Sequence, residues 1–332
     1  MPALTSNQRV QAILDALAES NASAVLLSTN RGNPFKFAVS FAQGSFVLWA
    51  YIWTLTHGGG RARPVNEYRI QITGIRSPLQ LNPNGPTLLI GYEPNVGCFA
   101  GFDISKHHAF STKSPSIQIP ITVLNDALQY GYSFVTKGNN EIAIGIRSDQ
   151  FLSYCLNTSI LHSQGGDAIT INLLQRAASL EMLGDEDYQE IAAERQTIVR
   201  EVSRLSRASN FRKKVTDAYG RRCAVTRMQL NLIDAAHILP VGVSGSNDEV
   251  INGICLSPTY HRAFDTSLIY LDENLVMRIN PLRRDRLIAE GLGSGLESLQ
   301  GYLDNRIHLP QDNNLWPSKE MIRKANAVRK IN

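Results

Sequence analysis

Between Ala24 and Arg147 the chain breaks into nine short runs rich in β-branched and aromatic residues, a texture that leaves few architectures open. The runs are Ala24 to Ser28, Phe35 to Phe41, Phe46 to Thr54, Tyr68 to Thr73, Thr87 to Tyr92, Cys98 to Ile104, Ser116 to Ile121, Ser133 to Thr136 and Glu141 to Arg147. Clusters of Gly, Pro and Asn, such as Asn82-Pro83-Asn84-Gly85-Pro86 and Gly138-Asn139-Asn140, punctuate them, as turns between strands require. The expectation is a mostly antiparallel sheet, closed as a sandwich or partly as a barrel. A helix precedes it: from about Ser6 to Glu19, Val10, Ile13, Leu14 and Leu17 recur at helical spacing, and Thr5 or Ser6 can cap the first turn.

At Ser163-Gln164-Gly165-Gly166-Asp167 small and polar turn residues mark a boundary. From about Ile169 to Ala208 the pattern is helical, with Ile191, Ile198, Val199, Val202 and Leu205 on one side and arginines elsewhere. A compact unit follows from Asn210, and a last short helix starts near Pro317 or Ser318. The expected class is α+β: a β-rich domain over residues 1–165, a basic helical connector over 166–208 and a C-terminal domain over 209–332. A chain of 332 residues is long enough for two separate cores.

Several classes are excluded. The longest apolar candidate, Phe46 to Trp53, has eight residues where a spanning helix needs roughly twenty, and the N-terminus lacks the basic start and apolar core of a signal peptide. A cytoplasmic protein without a membrane partner is therefore expected. The four cysteines, Cys98, Cys155, Cys223 and Cys255, include no C-x-x-C pair, which speaks against a disulfide framework or a four-thiolate zinc site. Charge is unevenly placed: between Arg195 and Arg227 stand ten basic residues against two acids, a local excess of +8 in a chain whose net charge is +4. Such a stripe suits phosphate binding, and it also suits a merely solvated helix face.

The most informative stretch runs from Phe211 to Ile269. It holds Phe211-Arg212-Lys213-Lys214-Val215, Ala218-Tyr219-Gly220-Arg221-Arg222-Cys223, Ala235-Ala236-His237-Ile238-Leu239-Pro240, Asn252-Gly253-Ile254-Cys255-Leu256 and His261-Arg262-Ala263-Phe264-Asp265. These segments resemble the HNH, or ββα-metal, nuclease family, in the branch with an A-A-H-I-x-P segment, an N-G-I-x-L segment and a final H-x-A-F-D segment. The resemblance covers about sixty residues and says nothing directly about residues 1–165.

Hydrolysis of a phosphodiester needs a base to activate water, a divalent cation to stabilise the charge that builds on the phosphate, and something rigid to aim the base. The resemblance implies His237 as general base, Asn252 as the residue that pins the loop, and His261 with Asp265 as metal ligands. The last two stand four residues apart, a spacing that puts both on one helix face. Each also has a plainer reading: a buried structural His, a turn Asn before Gly253, a helix-surface pair. The position before the base, which many family members fill with an acid or His, is Ala236, and the nearest acid upstream is Asp234. With no paired cysteines around the core, structural zinc is not expected, and the implied ion is magnesium or manganese.

Arg212, Lys213, Lys214, Arg221, Arg222 and Arg262 are candidates for contacts to duplex phosphates. In the β-rich half, Thr56-His57-Gly58-Gly59-Gly60-Arg61-Ala62-Arg63-Pro64 reads as a flexible basic loop in which Arg61 and Arg63 can enter a DNA groove, or as an ordinary hairpin loop. Trp49, Tyr51 and Trp53 alternate on one strand face and read as core more readily than as a stacking platform. Gly91-Tyr92-Glu93-Pro94 and Cys98-Phe99-Ala100-Gly101-Phe102-Asp103 read either as the lining of a pocket for a flipped base or as plain β core.

The combined expectation is a restriction endonuclease: a metal-dependent enzyme cutting double-stranded DNA, with a separate N-terminal recognition domain, acting as a homodimer. A homing or mobile-element HNH nuclease, and a DNA-binding protein on a catalytically inactive HNH core, are the alternatives.

Overall fold

The computed structural model describes residues 3–28, 32–57, 64–111 and 114–331. The chain divides into two compact units, Met1–Ser209 and Asn210–Asn332. No helix among the described residues is long and apolar enough to cross a membrane.

In the first unit, α1 (Ser6–Glu19) opens with a capping box between Thr5 and Gln8. Among the described residues ten strands follow: β1 (Ser23–Leu26), β2 (Phe35–Phe41), β3 (Gly44–Thr54), β4 (Thr56–His57), β5 (Glu67–Gln71), β6 (Thr87–Glu93), β7 (Cys98–Phe102), β8 (Ser116–Pro120), β9 (Tyr132–Thr136) and β10 (Ile142–Arg147). Seven form one sheet in the order β1-β2-β3-β6-β7-β10-β9, and β4-β5-β8 form a second. Among the described residues the pairings are antiparallel except β3 with β6, where Trp49 stands opposite Thr87. A parallel pair needs a long crossover, and the chain between Leu55 and Pro86 supplies it.

The strand alternation decides what each face meets. Phe35, Phe37 and Val39 of β2 and Leu48, Ala50 and Ile52 of β3 turn to a core shared with helices. Tyr51 and Trp53, the intervening residues of β3, turn instead to a second core with Ile70 and Ile72 near β5 and Ile117 and Ile119 of β8. Tyr51 and Trp53 stack with centroids 6.4 Å apart, so these aromatics are packing and not an open platform. Gly91 and the run from Cys98 to Phe102 are likewise buried strand core. The large sheet is therefore covered by helices on one face and by the small sheet together with Val123 and Leu124 on the other, and among the described residues its edge strands β1 and β9 do not pair to close a barrel.

Among the described residues three helices interrupt the β-rich half where none was expected: the single-turn α2 (Ile104–His107), α3 (Ile121–Tyr130) and α4 (Phe151–Gln164). Then come α5 (Ala168–Ala178), α6 (Asp185–Gln189) and α7 (Ala193–Ala218). Leu173, Leu174, Ala177, Ile198, Val199, Val202 and Leu205 are buried in the same core as β2 and β3. Residues 166–208 thus pack as part of the first unit.

The second unit holds the short hairpin partners β11 (Asp234–His237) and β12 (Gly253–Leu256), then α8 (Pro258–Asp265), β13 (Ile269–Leu271) and β14 (Met277–Ile279). Helices α9 (Pro281–Ala289), α10 (Leu296–Gln300) and α11 (Lys319–Val328) complete it. Its core gathers Phe211 and Val215 from the end of α7, Ile254 and Leu256 from β12, Phe264 from α8 and Ile322 from α11. Ser318 caps α11 through a hydrogen bond from the amide of Met321.

Candidate active site

His237 ends β11. Ala236 and Ile238 on either side of it are fully buried, which turns the imidazole to the opposite face of the strand. One flat side of the imidazole lies on the ring of Phe211, with centroids 3.7 Å apart and planes within 10° of parallel. At its edge, Nε2 stands 3.0 Å from Oδ1 of Asp248.

Directly across the ladder from His237 is Gly253. Its backbone is ordinary extended strand, with φ −123°, so its conformation does not demand glycine. Space does: a Cβ at this position would collide with Val215 and come within 3.1 and 3.2 Å of two ring atoms of Phe211. Gly253 is what lets α7 bring Phe211 down onto the imidazole.

Asn252 precedes it, fully buried, and uses its whole side-chain amide. Its Oδ1 accepts from the amide of Leu239 at 2.8 Å, while Nδ2 donates to the carbonyls of Leu239 at 3.2 Å and Asn247 at 2.9 Å and approaches Ser246 Oγ at 3.3 Å. Its backbone carbonyl accepts from Ile238, 2.9 Å away. The loop from Leu239 to Asn247 is thus tied at both ends to one side chain, and Asp248 follows directly. A second clamp comes from α11, where Arg329 Nη1 donates to the Ile238 carbonyl at 2.9 Å.

Helix α8 starts with Pro258 after Ser257 and buries Tyr260, Ala263 and Phe264. His261 and Asp265 fall on the other side, with Nε2 of the imidazole 3.3 Å from Asp265 Oδ2. Its Nδ1 lies 3.8 Å from Oδ2 of Asp234, at the start of β11. The Asp234 carboxylate raises the pKa of His261 above its ordinary value, although burial works the other way. Reciprocally, His261 pulls the Asp234 carboxyl below the usual carboxylate range against burial, with Arg212 adding to the effect.

Among the described residues no group of three or more His, Cys, Asp or Glu side chains stands arranged to hold a metal ion. Asp234 and Asp265 nevertheless flank the imidazole of His261, one at each nitrogen, and the two carboxylates are 41% and 54% exposed. This oxygen-rich, open donor set fits by its chemistry a hard divalent cation that keeps several waters, not a closed thiolate site. Cys223 and Cys255 are free and buried, and burial pushes the Cys255 thiol up to about 12.

The basic candidates separate. Arg212 is half-buried and engaged within its unit: Nη2 donates to the Ile233 carbonyl at 3.1 Å, and Nε lies 3.8 Å from Asp234. Lys213 and Arg221 both pair with Asp217 at 3.4 and 2.9 Å and stay 74% and 66% exposed. Lys214 and Arg262 are exposed and Arg222 half-buried. Arg61 and Arg63 lie outside the described residues. Sequence reasoning missed Asp248 and gave Phe211 no role; neither stands in a periodic relation to His237, because it is the folding back of the loop and the end of α7 that bring them there.

Residues 223–272 match the model of a family described as HNH endonuclease, and residues 46–155 match that of Methylase-associated X1. No curated protein matches the chain. Among solved structures it is similar to a modification dependent TagI restriction endonuclease at 13% identity, covering 84% of this chain and 80% of that one, with a TM-score of 0.27, too low to carry an argument. Placed on the hairpin, loop and helix described above, the first match gives the second unit its identity: the chain carries an HNH endonuclease domain at its C-terminus, behind an N-terminal segment of the methylase-associated X1 family.

Proposed function

We propose that the protein is a restriction endonuclease that hydrolyses phosphodiester bonds of double-stranded DNA with a divalent cation, magnesium or manganese. The observation that carries the reading is the held imidazole of His237, stacked on Phe211 and paired through Nε2 with Asp248, within a segment that matches the HNH endonuclease family. A segment of a methylase-associated family beside a nuclease domain supports the restriction role, since restriction pairs an activity that marks DNA with one that cuts it.

In this reading His237 takes the proton of the attacking water, and Asn252 keeps the loop beside it in place. Asp234, His261 and Asp265 would hold the cation, which when bound stabilises the charge that builds on the phosphate. Exposed Lys213, Lys214, Arg221 and Arg262 meet duplex phosphates, with Arg222 at the margin. The residue of this set that changes most in meaning is Arg212: engaged with Ile233 and Asp234, it orders the start of β11 and reaches DNA only secondarily. The β-rich unit, with Arg61 and Arg63, reads the target. Cutting both strands in one encounter calls for two active sites, hence a homodimer.

The test is digestion of matched unmethylated and methylated genomic DNA with magnesium or manganese, with His237→Ala as control. Discrete fragments from one substrate only, absent with the variant, support the reading. Tight duplex binding without cleavage of either substrate replaces it with a DNA-binding protein on an inactive HNH core.

A further inference from the structure

The environment of His237 is asymmetric in a way that a general base requires. A neutral imidazole carries its proton on one nitrogen and its lone pair on the other, and only the second can accept a proton from water. Nε2 stands 3.0 Å from Oδ1 of Asp248, a distance at which a carboxylate can only accept. Nε2 is therefore the protonated nitrogen, and Nδ1 is left with the lone pair.

The rest of the setting fixes the ring itself. Phe211 restrains its plane from one side, with the two rings within 10° of parallel. Asp248 is in turn set by the residue before it, whose carbonyl accepts from Asn252 Nδ2 at 2.9 Å. The route from the buried amide to the base thus runs through the loop: Asn252 holds Asn247, Asn247 places Asp248, and Asp248 orients His237. The Asp248 side chain is 41% exposed, and a pair that open to solvent adds little to folding. An acid conserving so little stability at the edge of a base is placed to orient it.

We propose that Asp248 is a positioning residue for catalysis: it holds His237 as the Nε2–H tautomer, so that Nδ1 is the atom that accepts the proton. The proposal deepens the nuclease reading and rests on it for the reaction, while the tautomer is a property of the protein alone. In the step it serves, a proton of the attacking water passes to Nδ1 as the water oxygen forms its bond to phosphorus and the bond to the leaving oxygen breaks, that oxygen taking up a proton from solvent. The carboxylate faces the imidazolium so formed, which afterwards returns its proton to solvent. The arrangement is that of a carboxylate behind a catalytic imidazole in other hydrolytic sites, built here from a loop residue.

The experiment uses the full chain with 15N-labelled histidine, and the His237 signals are assigned by their loss in His237→Ala. Above the imidazole titration, wild-type His237 shows the Nε2–H pattern of nitrogen shifts, and Asp248→Ala shifts it to a mixture of tautomers. Single-turnover cleavage in magnesium then falls roughly 10- to 100-fold in Asp248→Ala, the size seen when an orienting partner of an imidazole is removed, while the dissociation constant for duplex DNA stays the same. Asp248→Asn, whose carbonyl oxygen can still accept from Nε2, lies between the two. An Nδ1–H pattern in the wild type, or a tautomer unmoved by Asp248→Ala, overturns the proposal whatever the activity. A tautomer that shifts without loss of cleavage rate overturns its catalytic part. A tautomer that behaves as expected in a protein that cuts no DNA upholds the positioning and refutes the nuclease reading instead.

Discussion

Replacing Asn252 by alanine takes the buried amide out of the loop and leaves the Leu239 amide, inside the protein, without its acceptor. The Leu239 carbonyl fares better, because Ser246 Oγ still donates to it at 2.9 Å. An orphaned buried donor costs about 1–3 kcal/mol and the vacated space adds about 1, so the expected loss is about 2–4 kcal/mol. Native-state hydrogen exchange reads this at the site, because the amide that loses its partner is itself the reporter. Protection of the Leu239 amide should fall roughly 30- to 1,000-fold, each 1.4 kcal/mol being about a factor of ten. Asn252→Asp sharpens the test. It keeps an acceptor for Leu239 but turns a second oxygen toward the carbonyls of Leu239 and Asn247. Burial and those carbonyls favour its protonated form, raising its folded pKa above the unfolded value, so the variant should lose stability as pH rises from about 4 toward 8. Unchanged protection of Leu239 in Asn252→Ala, or an Asn252→Asp protein as stable as wild type at pH 8, would refute the account of this side chain.

Gly253→Ala places a methyl against Val215 and the Phe211 ring, and overpacking of this kind costs about 1–3 kcal/mol; thermal melts should show the loss, and cleavage should fall further as Phe211 is pushed from His237. Glu141 in the first unit is fully buried, with ion pairs to His107 and Lys137 at 2.8 Å, neither in good hydrogen-bond geometry. Burial alone would raise its carboxyl, yet His107 and Lys137 beside it bring it down to about 2. A depressed carboxyl contributes stability above its unfolded value and loses it as pH falls toward the folded one. The stability gap between wild type and Glu141→Gln, up to about 3 kcal/mol near neutrality, should therefore close between pH 5 and 2 in urea titrations. His261→Ala and Asp265→Ala should abolish cleavage and with it the dependence on magnesium concentration, leaving duplex affinity intact in a filter-binding or anisotropy measurement.

The strands of the first unit were legible because a sheet with two different faces imposes a period of two, and all nine runs became strands within a few residues. The Thr5 cap of α1 was legible for an equally local reason, a hydroxyl just ahead of the first residues at helical spacing. Direction was not: nothing in the runs at Phe46 and Thr87 says that these two strands lie parallel, since that depends on where the intervening chain travels. Helix α3 was hidden because Ile121, Val123 and Leu124 continue the apolar texture of β8 without a break. In the second unit the order of His237, Asn252, His261 and Asp265 carried the motif, since short elements keep its members close in sequence. The partners that orient His237 were illegible. Phe211 and Asp248 lie 26 and 11 residues from it, in a helix end and a loop whose composition is unremarkable. The plainer reading of Asn252-Gly253 was a turn, whereas Gly253 is a strand residue whose missing side chain makes room.

Helix α7 is one run of 26 residues, and the boundary between the compact units falls inside it, after Ser209. A fragment cut at that boundary would begin with Phe211 as its second residue, in a first turn with no preceding carbonyls to hold it. Such a turn frays. The natural seam for transplanting this HNH domain onto another unit therefore lies several turns upstream. Any gene rearrangement that respected only the two cores would deliver the full HNH motif with its imidazole left unsupported on one face.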